Sequence, residues 1–211
     1  MVTIIDYGIG NLGSVVKAFK YLEIPVKLTD SKKQIKRAEA VVLPGVGAFG
    51  EGMRNLRKNN LDQVIYEIIK KGVPFLGICL GFQLLFTTSE EDKGVKGLDI
   101  FSGQVKKFDK NKVNKIPHMG WNQVKLRKQD PLFKEFTEDH NFYFVHSYYV
   151  KPENDEIVLG QTGYGRQNFV SVIRSNNIWG IQCHPEKSSK IGLKVLNNFY
   201  KEIIRGDNNW K

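Results

Sequence analysis

The sequence predicts an α/β fold of flavodoxin-like type: a doubly wound, mostly parallel sheet with helices on both faces and an additional antiparallel C-terminal portion. Three observations carry this reading. Short apolar runs alternate with amphipathic stretches through the first half, the pattern of βαβ units. Beyond Leu98 the pattern changes to short strands separated by turn signals. At 211 residues, 41% of them hydrophobic, the chain is long enough to bury a sizeable core without staples.

The first strand is read at Val2 to Ile5, and an amphipathic helix follows at Leu12 to Leu22. Further strands fall at Val26 to Leu28, Ala40 to Leu43 and Pro74 to Ile78, with helices at Lys32 to Arg37, Phe49 to Lys58 and Leu61 to Lys71. Gly72-Val73-Pro74 ends the last of these, glycine as cap and proline as stop. In the second half the strands are Phe142 to Val145, Ile157 to Gln161, Phe169 to Ile173 and Ile178 to Gln182, the last two turning around Ser175-Asn176-Asn177. Ser188 and Ser189 are placed to cap a final helix from about Ile191 to Ile204. No linker, repeat or low-complexity tract intervenes, so residues 1–205 are expected to form one domain and 206–211 a short tail.

Composition narrows the function. No run approaches the roughly 20 apolar residues of a membrane span, and the N-terminus reads as a strand without the features of a signal peptide, so a cytoplasmic protein with no membrane partner is expected. The only cysteines, Cys79 and Cys183, lack CxxC spacing; neither a disulfide framework nor a metal or cofactor site is expected. Lys and Arg outnumber Asp and Glu by 32 to 22, a net charge of +10. The densest basic segment, Lys106 to Lys115, has no stacking-platform motif and reads as a solvated loop or edge hairpin, so no nucleic-acid partner is inferred.

Gly8-Ile9-Gly10-Asn11-Leu12-Gly13 is a GxGxxG between a strand and a helix, and Asp30 follows the next strand at the spacing of a ribose-binding acid. Alone it proposes an NAD-binding oxidoreductase. A tight βα turn with close backbone packing selects the same glycines, and the cofactor reading leaves the constellation around Cys79 without a purpose.

In Gly77-Ile78-Cys79-Leu80-Gly81 a cysteine stands between two glycines where a buried strand turns into a helix, the cysteine form of the G-x-S-x-G nucleophile elbow. The glycines relieve crowding and lift the side chain above the sheet's C-terminal edge. The N–H groups and positive dipole end of the following helix favour a thiolate and a developing oxyanion. A buried structural cysteine is the competing reading, but it does not account for the paired glycines.

A thiol nucleophile needs a base, and the base an orienting group. His184 and Glu186, in Gln182-Cys183-His184-Pro185-Glu186, lie on one side of an extended segment and meet that need. His118, His140 and His146 lack a carboxylate so placed, and Cys183 should point away from His184. Gly45, Val46 and Gly47, in a glycine-rich turn after the third strand, form a second wall where backbone N–H groups can approach a substrate.

These residues resemble the class I (triad) glutamine amidotransferases, whose elbow reads G-x-C-x-G-x-Q and whose histidine and glutamate come from a late H-P-E. Gly77, Cys79, Gly81, Gln83, His184, Pro185 and Glu186 all match. More narrowly, Asp6 to Asn11, Pro44 to Phe49, Pro117 to Asn122 and His184 to Ser188 are similar to motifs of the glutaminase subunits of imidazole glycerol phosphate synthase.

The resemblance implies the class I amidotransferase fold and a Cys79, His184, Glu186 triad that hydrolyses L-glutamine through a γ-glutamyl thioester. It implies an oxyanion hole from Leu80 N–H and the reoriented Val46 peptide beside Gly47, with Gly45, Gly47, Gln83, Glu91, Ser147 and Tyr148 holding glutamine. It implies a (β/α)8-barrel cyclase subunit that receives the ammonia in histidine biosynthesis, forming a heterodimer through Asn11, Pro117, Met119, Trp121 and Lys187 as interface or signalling positions. A paralogous aminating pathway using a similar pair stays open, as does a stand-alone thiol hydrolase on the same elbow.

Overall fold

A computed structural model describes residues 1–137 and 140–206. Apart from Gly206, the expected C-terminal tail lies outside the described residues. Among the described residues twelve strands form one continuous sheet: β1 (Val2–Ile5), β2 (Val26–Thr29), β3 (Ala40–Gly45), β4 (Phe75–Cys79), β5 (Phe86–Ser89), β6 (Phe101–Lys107), β7 (His118–Leu126), β8 (His140–His146), β9 (Tyr148–Pro152), β10 (Val158–Tyr164), β11 (Gln167–Ser175) and β12 (Ile178–Ile181). The main path runs β2-β1-β3-β4-β12-β11-β10-β7-β8, and β5, β6 and β9 branch from β11. The strands β2-β1-β3-β4-β12 are parallel; from β12 onward the main path is antiparallel.

The α-helices are α1 (Leu12–Tyr21), α2 (Lys32–Ile35), α3 (Phe49–Lys58), α4 (Leu61–Lys70), α5 (Leu80–Gln83) and α6 (Ser189–Asn198). They sort onto the two faces because side chains along each parallel strand alternate. Val2, Ile4, Val42, Leu76 and Ile78 pack with Val15 and Phe19 of α1 and Val195 and Leu196 of α6. Val41, Leu43 and Phe75 face the other way, against Met53 and Leu56 of α3 and Val64, Ile65 and Ile68 of α4. At roughly 1.5–3 kcal/mol for each fully buried large apolar side chain, these two layers dominate the stability. Among the described residues no helix is long and apolar enough to cross a membrane.

Predicted boundaries in the parallel half fall within two residues of the observed ones. The second half departs in three ways. Ser188 does not cap α6 with its side chain: its hydroxyl accepts from Tyr143 N–H at 2.9 Å and donates to the His184 carbonyl at 2.6 Å. The last helix is α-helical only to Asn198 and continues as a π-turn over Phe199–Ile204. Strands β5, β6, β7 and β9 arise from segments with weak strand signals, β7 starting directly after a cis Ile116–Pro117 bond.

Candidate active site

The elbow is built as the glycine spacing requires. Cys79 ends β4 with φ 52° and ψ −108°, a conformation that side-chain-bearing residues rarely adopt. A Cβ at Gly77 would stand 2.9 Å from Gly81 O and Phe82 Cα, and one at Gly81 would overlap the Leu43 carbonyl. Both positions must therefore be glycine for the strand to turn this tightly. The helix that follows, α5, is only four residues long, so its macrodipole is small. Local N–H groups, such as that of Leu80, carry the electrostatic part of the argument instead.

His184 and Glu186 meet as the spacing predicts. His184 Nδ1 lies 2.8 Å from Glu186 Oε1, with both side chains 2% exposed. Burial works against a charged imidazole here. The Cys79 charge and the Glu186 carboxylate outweigh it and raise the His184 pKa above the usual histidine value. Nε2 is buried and completes no hydrogen bond among the described residues, and Cys79 is the charge that acts on this ring most strongly. A thiol, an imidazole and an orienting carboxylate in this order can generate a thiolate and return its proton to a leaving group.

The base is fastened to a strand edge. His184 N–H donates to the Tyr143 carbonyl at 2.9 Å, and the Ser188 hydroxyl ties Tyr143 N–H to the His184 carbonyl. The turn Pro185–Lys187 is thereby sewn to the edge of β8, while Cys79 belongs to β4 at the centre of the sheet. Cys183 is buried in the apolar core, and burial pushes its thiol pKa up.

A cavity of about 260 Å³ opens above Cys79, lined by Val46, Gly47, Leu80, Gln83, Glu91, His146, Ser147 and Tyr148 among others. This is near the lower end of small-ligand sites, roughly 300–1,000 Å³. It gathers every sequence-predicted oxyanion and substrate residue except Gly45, which stands in register with Cys79 at the end of β3. Both Gln83 amide hydrogens are spent, on the Tyr148 carbonyl at 2.9 Å and Gln182 Oε1 at 3.0 Å. Only its Oε1 is left to accept from a ligand. Glu91 Oε2 accepts from Phe49 N–H at 2.9 Å, tying the cavity rim to the start of α3.

The glycine turn after β1 does structural work. Were Gly10 (φ +115°) given a Cβ, it would sit 3.4 Å from Gly45 Cα and 3.7 Å from Val46 N, so this turn backs the end of β3. Gly8 N–H donates to Asp6 Oδ1 at 3.0 Å, placing a carboxylate where a pyrophosphate would need that donor. Gly13 has open space around its missing Cβ, so it is not a close-packing glycine. One donor of the motif is thus taken and its last glycine makes no close contact, which counts against the NAD-binding reading.

The predicted interface residues reach the surface near the base. Met119 and Trp121 are 62% and 55% exposed on β7. The Trp121 ring packs edge-on to Tyr143, with centroids 6.1 Å apart, and the Lys187 ammonium lies 6.0 Å from the same ring's centroid. Asn11 is exposed at the start of α1, a helix that packs against the Pro185–Lys187 turn, and Pro117 immediately precedes β7.

Three residues escaped the sequence reading. Gln182, fully buried, donates from Nε2 to Cys79 Sγ at 3.6 Å. Tyr7 lies against Gly45 with a buried hydroxyl that makes no hydrogen bond among the described residues; burial, with the Cys79 charge second, raises its pKa, so it remains a neutral phenol. Ser188 stood in a recognised motif, but its bond to Tyr143 spans 45 residues and left no local signal.

Residues 3–203 match the model of the family described as glutamine amidotransferase class-I. The chain is 50% identical over 204 residues to the imidazole glycerol phosphate synthase subunit HisH of Moorella thermoacetica, covering 97% of this chain and 95% of that protein. It is likewise 50% identical over 199 residues to the HisH subunit of Methanocaldococcus jannaschii, covering 94% and 98%. Among solved structures, a glutamine amidotransferase superposes with TM-score 0.74 at 15% identity, over 97% of this chain and 100% of that one. The structure of PurLQS from Thermotoga maritima gives 0.73 at 18%, over 96% and 98%. The elbow, the buried His-Glu pair and the sheet order all agree with the family match: the chain belongs to the class-I glutamine amidotransferases.

Proposed function

We propose that this chain is the glutaminase subunit of imidazole glycerol phosphate synthase, hydrolysing L-glutamine and passing the ammonia to a cyclase subunit of (β/α)8-barrel type. The observation that carries it is the cavity that joins Cys79 to Gln83, Glu91, Ser147 and Tyr148 beside the buried His184–Glu186 pair. The relatives named as this synthase's subunit, half identical over nearly the whole chain, support the narrower assignment.

In this reading the Cys79 thiolate attacks the side-chain amide carbon of glutamine, and the carbonyl oxygen becomes an oxyanion held by Leu80 N–H and the Val46 peptide. The C–N bond breaks as His184 gives its proton to the departing nitrogen, leaving a γ-glutamyl thioester and ammonia. Water, deprotonated by His184, then cleaves the thioester to glutamate and restores the thiolate. Glu186 fixes the imidazole tautomer throughout. The ammonia leaves toward the partner seated over Met119, Trp121 and Lys187, where it supplies the nitrogen for imidazole glycerol phosphate and the aminoimidazole carboxamide ribotide co-product.

The test is ammonia release by the isolated chain and by its complex with the cyclase partner, with and without the ribulosyl phosphate acceptor. Weak hydrolysis alone and strong stimulation in the loaded complex are expected, abolished by Cys79→Ala while synthesis from free ammonia survives. Undiminished glutamine hydrolysis by Cys79→Ala would sink the assignment, and full turnover without any partner would favour a stand-alone hydrolase.

A further inference from the structure

A chain of buried polar groups links the exposed strand β7 to the nucleophile. Asn122 Nδ2 lies 3.1 Å from His118 Nε2, His118 Nδ1 lies 3.0 Å from His146 Nε2, and His146 Nδ1 lies 2.7 Å from the Tyr148 carbonyl. That carbonyl also accepts from Gln83, which donates to Gln182, which donates to Cys79 Sγ.

The chemistry of each member fixes the direction of every bond. The Tyr148 carbonyl can only accept, so His146 Nδ1 carries the hydrogen and, in the neutral ring, Nε2 is an acceptor. His118 Nδ1 must then carry a hydrogen and its Nε2 accept from Asn122. The Asn122 amide cannot be reversed, because Nδ2 also donates to Gly163 O at 2.8 Å and Oδ1 accepts from Gln123 N–H. Gln83 must present its nitrogen to the Tyr148 carbonyl, which forces Gln182 to present oxygen to Gln83 and nitrogen to the sulfur. Both imidazoles have to be neutral, and burial lowers their pKa values to about 4 for His118 and about 3 for His146.

Along β7, His118 and Asn122 lie on the inward face, whereas Met119, Trp121 and Gln123 alternate with them on the exposed face. We infer that Gln182 is a positioning residue that stabilises the Cys79 thiolate by hydrogen bonding, and that the chain from Asn122 holds in place the Tyr148 carbonyl on which Gln83, and through it Gln182, is oriented. Its regulatory use rests on the proposed function, since a partner seated on Met119 and Trp121 would shift the strand from which the chain starts. A network whose members are all bonded to one another has few alternative arrangements, so a displacement of Asn122 would be passed on to the Tyr148 carbonyl.

The experiment is the rate of carbamidomethylation of Cys79 by iodoacetamide at pH 7, followed by mass spectrometry of the full-length chain. Gln182→Met keeps the volume and removes the donor, and it is expected to slow alkylation five- to tenfold. Asn122→Asp puts an acceptor against His118 Nε2 and should slow it at least threefold, with no further loss in the Gln182→Met background. Melting curves confirm folding; if Gln182→Met does not fold, Asn122→Asp alone decides. An unchanged alkylation rate in folded Asn122→Asp, or additive losses in the double variant, would overturn the inference. The assay uses neither glutamine nor partner, so failure of the proposed function would appear separately, as absent ammonia release from a chain whose alkylation is still coupled.

Discussion

The hydroxyl of Tyr7 occupies the space that a side chain at Gly45 would need. Gly45 also pairs in register with Cys79, so the phenol, the end of β3 and the nucleophile form one packed layer. Gly45→Ala is expected to cost about 2–4 kcal/mol and to cut glutamine turnover, because overpacking here displaces the strand end. Tyr7→Phe, which removes a buried hydroxyl without a protein partner, should leave urea-unfolding stability within about 1 kcal/mol of the parent or raise it.

The triad makes a graded prediction. Cys79→Ala and His184→Ala should each lower kcat for glutamine by about 10⁴-fold or more, and the double variant should be little worse, since the two act as a unit. Glu186→Gln keeps the shape but loses the charge that holds the imidazole, and a fall of about 10²- to 10⁴-fold is expected. Ammonia release at saturating glutamine checks all three, and multiplicative losses would contradict the shared mechanism.

Acid should unfold the protein through the buried histidines. His118 and His146 have folded pKa values of about 4 and about 3, both below the ordinary value of 6.5, with burial the leading cause. Groups depressed in this way contribute stability above pH 6.5. Below it the unfolded chain takes up protons that the folded rings refuse. Stability should therefore fall as pH drops from 6.5 through about 4 and then 3, by about 1.4 kcal/mol per pH unit for each ring. Urea titrations between pH 7 and 4 measure the slope; a flat profile would count against neutral buried imidazoles.

The glycine turn offers a contrast within one motif. Gly13 has an ordinary backbone and open space, so Gly13→Ala in α1 should stabilise by up to about 1 kcal/mol. Gly10, with φ +115° and Gly45 behind it, should lose about 1–3 kcal/mol on the same change and disturb glutaminase activity. Melting temperatures and ammonia release of the two variants distinguish a packing turn from a cofactor loop, in which both glycines would matter.

The parallel half of the fold was legible because each element carries its own periodicity and its own stop signal, as Leu61 to Pro74 does within fourteen consecutive residues. So were the elbow, which Gly77, Cys79 and Gly81 encode locally, and the pairing of His184 with Glu186. What stayed hidden depends on distant pairing. Strand β9 bonds to β6 some 45 residues away, and Gln182 meets Cys79 across 103 residues. Buried glutamines carry no local sign of their partners, and Ser188 looked like a helix cap until Tyr143 was brought beside it.

The seam between the His184 turn and the edge of β8 gives the proposed base a second anchor besides the central strand it follows. Cys79 ends β4, and His184 follows β12, the strand paired with β4, while its N–H is bonded to Tyr143 on the hairpin that carries Trp121. Catalytic alignment tolerates little error, since a misplacement of about 1 Å can cost 10²-fold. Substitutions on the hairpin's outer face therefore offer a way to tune turnover without altering any reacting atom, since one of the two anchors of His184 lies on it.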